Sequence, residues 1–182
     1  YIAYIKGYKT TDKRKEINSE YKVARPKFSP WYWNFVKEYL ILKWKAIPVH
    51  NIEVDDALRI TKLHINGSFL CAIDNDLLFL EGTHFNWRKN EWITTDRKTA
   101  EYKFWSDMIT GQPGDGLCGL KGKGAKYVEK LFEDFFKIYD SGLYSCVFHE
   151  YIRHYGEELG IEEFYKNYKC LKILDKFEGF VV

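Results

Sequence analysis

Residues 46–76 read AIPVHNIEVDDALRITKLHINGSFLCAIDND, and this stretch decides the fold class. Within it, residues 46–52 are a short strand candidate, and the polar and apolar residues of 57–65 alternate with helical spacing. A glycine turn ends this helix, and residues 68–73 form an apolar run typical of a buried parallel strand. A strand, a helix and a second strand at this spacing predict an α/β core.

The flanking segments extend this pattern in both directions. Upstream, residues 1–5 predict a short strand, and residues 31–45 predict a helix whose apolar side chains recur at helical spacing. Downstream, residues 83–95 predict a hairpin or loop. The rest of the chain predicts helices over residues 100–109, 125–139, 145–155 and 161–174. We therefore expect an α/β body followed by a helical C-terminal half.

The composition is that of a folded protein with a packed core. Of the 182 residues, 46% are hydrophobic and 18% aromatic, which excludes disordered and low-complexity classes. No apolar run approaches the roughly 20 residues that span a bilayer, so no membrane association is expected. Four widely spaced cysteines predict reduced thiols and a cytoplasmic protein. The six tryptophans are expected in the core, with Trp31 and Trp33 as candidates for base stacking.

The net charge of +2 conceals an uneven distribution. Residues 6–27 contain eight basic and three acidic residues, so the remainder of the chain is mildly acidic. A basic N-terminal segment on an acidic body is typical of a protein that binds a polyanion at one place and cations at another. A solvated charged loop is the alternative for this segment. The chain begins at Tyr1 rather than at a methionine, within an expected strand, so we expect residues upstream of it.

Acidic side chains follow both strands of the opening stretch. Glu53, Asp55 and Asp56 come after the first strand, and Asp74 and Asp76 come directly after the second. In open α/β sheets the ligand crevice lies beyond the carboxyl ends of the strands, and carboxylates that converge there repel one another unless cations neutralise them. Hard divalent ions such as Mg²⁺ prefer oxygen ligands. The alternative is structural: Asp55 or Asp56 caps a helix, and residues 74–76 form a turn.

A third acidic residue lies in a glycine-rich segment. Residues 110–126 read TGQPGDGLCGLKGKGAK and combine Asp115 with closely spaced glycines and lysines before a predicted helix. Glycines allow backbone N–H groups to approach a phosphate closely, and the N-terminus of the following helix favours an anion. The segment matches neither a Walker A loop nor a dinucleotide-binding fingerprint. A helix, a glycine hairpin and a helix are typical of proteins that hold a DNA duplex by its backbone.

Taken in order, these segments resemble the 5′-nuclease (flap endonuclease) superfamily. Residues 53–57 are similar to its Glu-x-Asp-Asp motif and residues 73–77 to its Asp-x-Asp-Leu motif. Residues 111–126 resemble the stretch that begins its helix–three-turn–helix element. Residues 20–25 resemble the Tyr-Lys-x-x-Arg motif at the base of its helical arch.

The resemblance implies a fold, a reaction and a set of partners. The fold is a PIN-like three-layer α/β core with a parallel-type sheet over residues 1–105, including a basic arch segment over 6–45. A helical DNA-binding region over 106–182 follows, the two forming one compact unit. The reaction is hydrolysis of phosphodiester bonds at the 5′ end of flap, nicked or duplex DNA, independent of sequence. The location would be the cytoplasm, or the host cytoplasm for a viral protein.

The resemblance also assigns roles to individual residues. Two Mg²⁺ or Mn²⁺ ions would be held by Glu53, Asp55, Asp56, Asp74, Asp76 and Asp115. Lys22 and Arg25 would contact the scissile phosphate, and Tyr21 would stack on an unpaired terminal base. The downstream duplex would be held, around a K⁺ ion, by Gly119, Lys121, Gly122, Lys123, Gly124 and Lys126.

Three positions depart from the family pattern. Lys6 stands roughly where a carboxylate ligand is usual, Gln112 replaces an aspartate, and Gly116 replaces an asparagine. An upstream segment or a second polypeptide would then complete the first metal site. The alternative function is a structure-specific DNA-binding protein that has lost catalysis or is one half of a split nuclease.

Overall fold

The computed structural model describes residues 1–26, 28–136 and 142–176, and shows a mixed α/β fold. In chain order its elements are β1 (Tyr4–Lys6), α1 (Asp12–Ile17), α2 (Trp33–Trp44), β2 (Ile47–Val49), α3 (Val54–His64), β3 (Leu70–Cys71), β4 (Gly82–Asn86), β5 (Glu91–Thr95), α4 (Arg97–Thr110), α5 (Ala125–Phe136), α6 (Leu143–Tyr155) and α7 (Glu157–Leu171). The predicted α/β class and the helical C-terminal half are confirmed. Residues 137–139 of one predicted helix lie outside the described residues.

The strands form two small sheets. β1 pairs with β2 in parallel, with Tyr4 opposite Ile47, and β3 pairs with β4 in parallel, with Leu70 opposite His84. β4 and β5 form the expected antiparallel hairpin. Since β2 and β3 each run into an acidic segment, the sheets deliver both acidic segments to one region of the molecule.

The prediction of a fully buried strand over residues 68–73 is wrong in part. Leu70 is buried, but Phe69 and Ile73 are 53% and 44% exposed, and the strand has only two residues. The apolar run therefore packs on one face only, as an alternating, half-buried strand does.

The helical half contains the largest core. Its buried side chains come mainly from α4 to α7 and include Met108, Phe132, Tyr151 and Phe164. Two smaller clusters lie around β2 with α3 and around β3. The expectation of core tryptophans holds for Trp105 and is wrong for Trp44, Trp87 and Trp92, which are at least 49% exposed. Trp31 and Trp33, the expected exceptions, are exposed as well.

Helix α2 exists as predicted but buries none of its residues. Trp31 and Phe35, before and within it, are 84% and 68% exposed. Helical spacing of apolar residues predicts a helix but not the surface that it packs against. No helix among the described residues is long and apolar enough to cross a membrane.

Candidate active site

The acidic side chains meet beyond the carboxyl ends of β2 and β3. Glu53 is the N-cap of α3, so the helix begins at Val54 rather than at residue 57, and Asp55 lies in its first turn. Asp74 caps a 3₁₀ turn by accepting a hydrogen bond of 3.1 Å from the backbone N–H of Asp76. Asp115 lies in a second 3₁₀ turn, which follows α4.

These residues line an open cleft of about 470 Å³ and a small adjoining cavity. Asp76, Gln112 and Asp115 line both, Asp74 and Arg25 line only the cleft, and the cavity adds further charged residues. Those are Arg14, Lys22, Glu53 and Asp55. The predicted convergence of the acidic segments is therefore present for five of the six expected carboxylates.

Asp55 and Asp76 have no ion-pair partner in the described structure, and the negative charges around them disfavour their ionised forms. Burial, followed by the charges of Asp74 and Glu53, raises the pKa of Asp55 to about 7. Burial and the charge of Asp74 likewise raise the pKa of Asp76. A carboxylate whose pKa rises in this way gains from a nearby cation, which favours its ionised form.

Asp56 lies outside this group of open carboxylates. It is fully buried, and each of its oxygens accepts two hydrogen bonds. Two come from the Arg14 guanidinium at 2.9 and 3.0 Å, and the others from the backbone N–H groups of Glu53 and Leu174 at 3.0 and 2.9 Å. Because four bonds fill the usual capacity of a carboxylate, this geometry does not support the expectation that Asp56 holds a metal.

Basic side chains bridge the remaining acidic residues. Lys22 Nζ lies 2.5 Å from Glu53 Oε1 and 3.6 Å from Asp115 Oδ2, and Arg25 forms an ion pair with Asp115. Burial alone would lower the pKa of Arg25, but the charge of Asp115 raises it. Lys22 has a left-handed backbone with φ of 55°, held by its N–H bond of 2.9 Å to the Asp115 carbonyl oxygen. Lys22 and Arg25 are thus fixed at the acidic centre.

Tyr21 does not offer the stacking face that the resemblance implies. Only 3% of it is exposed, and its ring belongs to the core of the helical half. Its hydroxyl donates a hydrogen bond of 2.8 Å to Glu53 Oε2, and burial and the Glu53 charge both raise the pKa of Tyr21. Tyr21 therefore positions Glu53 rather than a base.

Gln112 takes the place of an expected acidic ligand and contacts its neighbours as a donor. Its Nε2 donates to Asp76 Oδ1 at 3.0 Å and to Asp107 Oδ2 at 3.2 Å. Asp107 in turn lies 3.5 Å from Lys103 Nζ. The amide thus neutralises part of the repulsion at Asp76 where an aspartate would increase it.

The donor chemistry of the site fits a hard divalent cation, whereas the spacing is not that of a closed ligand set. Asp55, Asp74 and Asp76 supply oxygen ligands of the kind that Mg²⁺ and Mn²⁺ prefer, and two of them have raised pKa values. Across residues 1–26, 28–136 and 142–176, no group of three or more His, Cys, Asp or Glu side chains is placed to hold a metal ion.

The glycine-rich segment has two parts with different constraints. Gly116 and Gly119 have left-handed φ values of 74° and 57°, and a Cβ on either would lie within 2.5 Å of backbone atoms. The atom facing Gly116 is the Glu20 carbonyl oxygen, so a side chain at this position would meet the backbone just before the Lys22 segment. By contrast, a Cβ on Gly122 or Gly124 meets open space.

The open part of this segment presents the predicted lysines. Lys121 and Lys126 are exposed, while Lys123 lies 4.0 Å above the ring of Tyr127. Helix α5 begins directly after Gly124. The segment thus combines free backbone space, positive charge and a helix N-terminus, which together suit a phosphate backbone.

Sequence reasoning missed two residues of the site, Arg14 and Asp107. Arg14 was counted among the basic residues of 6–27, a segment expected to face a polyanion, but it is buried and faces Glu53 and Asp56. The signal available in the sequence was the spacing of Thr10, Arg14 and Asn18, which places three polar residues on the buried side of α1.

The comparisons with known proteins rest on structure. No protein-family model and no curated protein sequence matches the chain. A structure of the bacteriophage T5 5′-exonuclease with bound zinc ions superimposes with a TM-score of 0.61 at 19% identity, covering 87% of this chain and 69% of that one. A bacteriophage T5 flap endonuclease in complex with DNA and metal ions gives a TM-score of 0.59 at 17% identity, with coverages of 87% and 69%. The chain therefore shares the fold of these bacteriophage 5′-nucleases.

Proposed function

We propose that the chain is a Mg²⁺- or Mn²⁺-dependent 5′→3′ exonuclease or flap endonuclease that hydrolyses phosphodiester bonds at the 5′ end of DNA. The observation that carries this proposal is the convergence of carboxylates with Lys22 and Arg25 around one cleft and the small cavity that adjoins it. The fold shared with two structures of a bacteriophage T5 5′-nuclease supports it.

Asp55, Asp74, Asp76 and Asp115, with Glu53, are the residues that would hold the two ions. When bound, the ions would supply Lewis-acid stabilisation of the charge that develops on the phosphate. The raised pKa values of Asp55 and Asp76 support this assignment, because these carboxylates have no basic side chain as an ion-pair partner in the described structure.

Lys22 and Arg25 are the residues that would hold the scissile phosphate. Both lie beside Asp115, and half of the Arg25 side chain is exposed at the cleft. Fixed positive charge at this point stabilises the negative charge that increases on the phosphate oxygens during hydrolysis. Because Tyr21 and the Asp115 carbonyl hold this segment, the two cations need little rearrangement when DNA binds.

The duplex would lie along the open part of the glycine-rich segment. Gly119 shapes the turn, and Gly122 and Gly124 leave the backbone accessible to phosphates. A K⁺ ion would be held by this same segment. Lys121, Lys123 and Lys126 would add ionic contacts. Binding of this kind is insensitive to sequence and weakens with salt.

A structure-specific DNA-binding protein without catalysis is the second candidate. The observation that favours it is the neutralisation of the site by its own side chains, since Lys22 and Arg25 pair with Glu53 and Asp115 and Gln112 donates to Asp76. Such a protein would bind a 5′ flap as tightly but would leave it intact.

Cleavage of a 5′-labelled flap DNA in Mg²⁺ and K⁺ separates the two candidates. We expect short 5′-labelled products from the wild-type chain, none from Asp74→Asn, and wild-type rates from Asp12→Asn, which changes an exposed aspartate on α1. Tight flap binding without any cleavage in Mg²⁺ or Mn²⁺ would establish the second candidate. Cleavage that survives Asp74→Asn would remove the carboxylate assignment.

A further inference from the structure

One buried guanidinium connects three separate segments of the chain. Arg14 Nη1 donates to Glu53 Oε2 at 2.7 Å and to Asp56 Oδ2 at 3.0 Å. Its Nη2 donates to Asp56 Oδ1 at 2.9 Å and to the Lys172 carbonyl oxygen at 3.0 Å. Arg14 thus ties α1 to the start of α3 and to the segment that follows α7.

The charge of the Arg14 guanidinium is stabilised inside the protein by its acidic partners. Burial alone would lower the pKa of Arg14, but its hydrogen bond to Asp56 and the charges of Asp56 and Glu53 raise it. A buried charge persists only when it is paired and hydrogen-bonded. The bidentate contact with Asp56 meets that condition, so this guanidinium is not available to a phosphate.

Asp55 differs from both of its acidic neighbours. Glu53 contacts Arg14, Tyr21 and Lys22. Each oxygen of Asp56 already accepts two hydrogen bonds. No side-chain hydrogen bond or ion pair of Asp55 occurs in the part of the chain that the structure describes. After burial, the charges of Asp74 and Glu53 raise its pKa most, and the charge of Lys22 opposes them. Within one helical turn, two carboxylates are held by the fold, and the third lines the small cavity that adjoins the cleft.

We propose that Arg14 is a positioning residue: it holds Asp56 in a structural ion pair and leaves Asp55 as the carboxylate of this acidic motif that has no hydrogen-bond or ion-pair partner among the described residues. The proposal rests on the proposed function, because Asp55 is useful only if the cleft takes up a cation. Through the capping contacts of Glu53 and Asp56, Arg14 fixes the first turn of α3 and so the direction of Asp55. Contacts of this kind around a metal site typically change its affinity 10–100-fold.

Titration of the metal-free chain with Mn²⁺ by calorimetry tests whether Asp55 binds metal while Asp56 has a structural role. We expect Asp55→Asn to lose one site or at least tenfold in affinity, with an unchanged or higher unfolding midpoint in EDTA. Asp56→Asn should keep the wild-type stoichiometry and lower the unfolding midpoint. An Asp56→Asn chain that folds like wild type and loses a Mn²⁺ site would overturn the proposal.

A second variant covers the case in which Asp56→Asn does not fold. The pair Arg14→Met with Asp56→Leu replaces both charges by apolar side chains, so no unpaired charge of this pair remains buried. We expect this double variant to fold and to keep the Mn²⁺ stoichiometry with weaker affinity. Loss of a Mn²⁺ site in the folded double variant would count against the proposal in the same way.

Arg14→Lys separates a positioning role from a merely structural one. Lysine keeps the charge but lacks the planar fork, so Glu53 and Asp56 are no longer held together. Measured well below its unfolding midpoint, this variant should bind Mn²⁺ about tenfold more weakly with unchanged stoichiometry. An unchanged affinity in the fully folded variant would leave Arg14 without a positioning role.

A DNA-binding measurement distinguishes failure of this proposal from failure of the proposed function. The slope of log affinity against log salt concentration reports the number of phosphate contacts. Arg14→Gln should leave this slope unchanged, like the exposed control Lys15→Gln. Arg25→Gln should reduce its magnitude by about one. A lower slope for Arg14→Gln with an unchanged unfolding midpoint would make Arg14 a phosphate contact and overturn the proposal. If the wild-type chain takes up no Mn²⁺, the proposed function fails, and the proposal for Asp55 fails with it.

Discussion

Asp55 shows how burial and neighbouring charge define a functional carboxylate at the scale of one residue. It lies one position before Asp56 on the same helical turn, yet the pKa of Asp55 is raised to about 7 while Asp56 pairs with Arg14. The difference is the direction of each side chain, one toward a guanidinium and the other toward Asp74.

This raised pKa predicts how metal-free stability depends on pH. An unfolded aspartate titrates near pH 3.9, so between about pH 4 and pH 7 the folded chain binds the extra proton. The contribution of Asp55 to stability is therefore present at low pH and lost as the pH rises through about 7. We expect the thermal midpoint in EDTA to fall between about pH 5 and about pH 8, and to fall less in Asp55→Asn. Equal slopes in both proteins would show that Asp55 titrates normally.

Lys22 predicts a separation of catalysis from binding. In Lys22→Met the stem remains and the charge beside Glu53 and Asp115 is removed. We expect single-turnover cleavage of a 5′ flap to slow by roughly 10²–10³-fold, while flap affinity, measured by anisotropy, changes by less than about tenfold. The exposed control Lys15→Met should cleave at the wild-type rate. Losses of similar size in cleavage and affinity would make Lys22 a simple ionic contact.

At the scale of elements, the glycine-rich segment joins a constrained turn to an open surface. A Cβ on Gly119 would lie 2.4 Å from Gly111 N and from Ile109 O, whereas a Cβ on Gly124 meets nothing within 4 Å. A change to alanine should therefore affect different properties at two positions five residues apart: stability at Gly119 and duplex binding at Gly124.

Gly119→Ala should destabilise the chain by at least about 2 kcal/mol, because it adds a backbone clash to a left-handed φ. Gly124→Ala should change stability by less than about 0.5 kcal/mol but weaken duplex binding, because a methyl group would stand between backbone and phosphate. Urea unfolding and anisotropy measure the two effects. A stable Gly119→Ala chain would contradict the packing described for this turn.

Helix α2 is the second element with an exposed surface that could contact DNA. None of its residues is buried, and Trp31 just before it is 84% exposed. We expect Trp31→Ser to leave stability within about 0.5 kcal/mol and to weaken binding of single-stranded 5′ ends by about 1–3 kcal/mol, the usual contribution of one stacked base. The exposed hairpin residue Trp87, changed to serine, is the matched control. Equal effects of both variants on binding would exclude a specific role for Trp31.

The elements were largely predictable from the sequence, and the environments of individual side chains were not. The helical pattern predicted α2 and α4 because it depends on local geometry, and residues 83–95 were predicted as a hairpin or a loop. It could not predict that α2 buries none of its residues, that Tyr21 is buried or that Arg14 faces inward, because those outcomes depend on residues far away in the chain. A buried arginine and a surface arginine have the same local sequence signal.

At the scale of the whole molecule, two small sheets and a helical half bring acidic and basic residues to one cleft. Asp74 comes from the end of β3, Asp55 from α3, and Asp115 from the turn after α4. The convergence was predicted from the carboxyl ends of strands in one open sheet, whereas β2 and β3 lie in two separate sheets that end at the same region. The basic bridges across the site were not predicted, since they depend on the fold of residues 6–26.

The central claim is that this cleft takes up divalent cations between Asp55, Asp74 and Asp76. Anomalous diffraction from crystals of the full chain soaked in Mn²⁺ tests it most directly. The predicted result is a Mn²⁺ peak within coordination distance of Asp74 and Asp76, with Asp56 still bonded to Arg14, and no such peak in Asp74→Asn. Saturating Mn²⁺ that gives no peak among these carboxylates in the wild-type chain would contradict the claim.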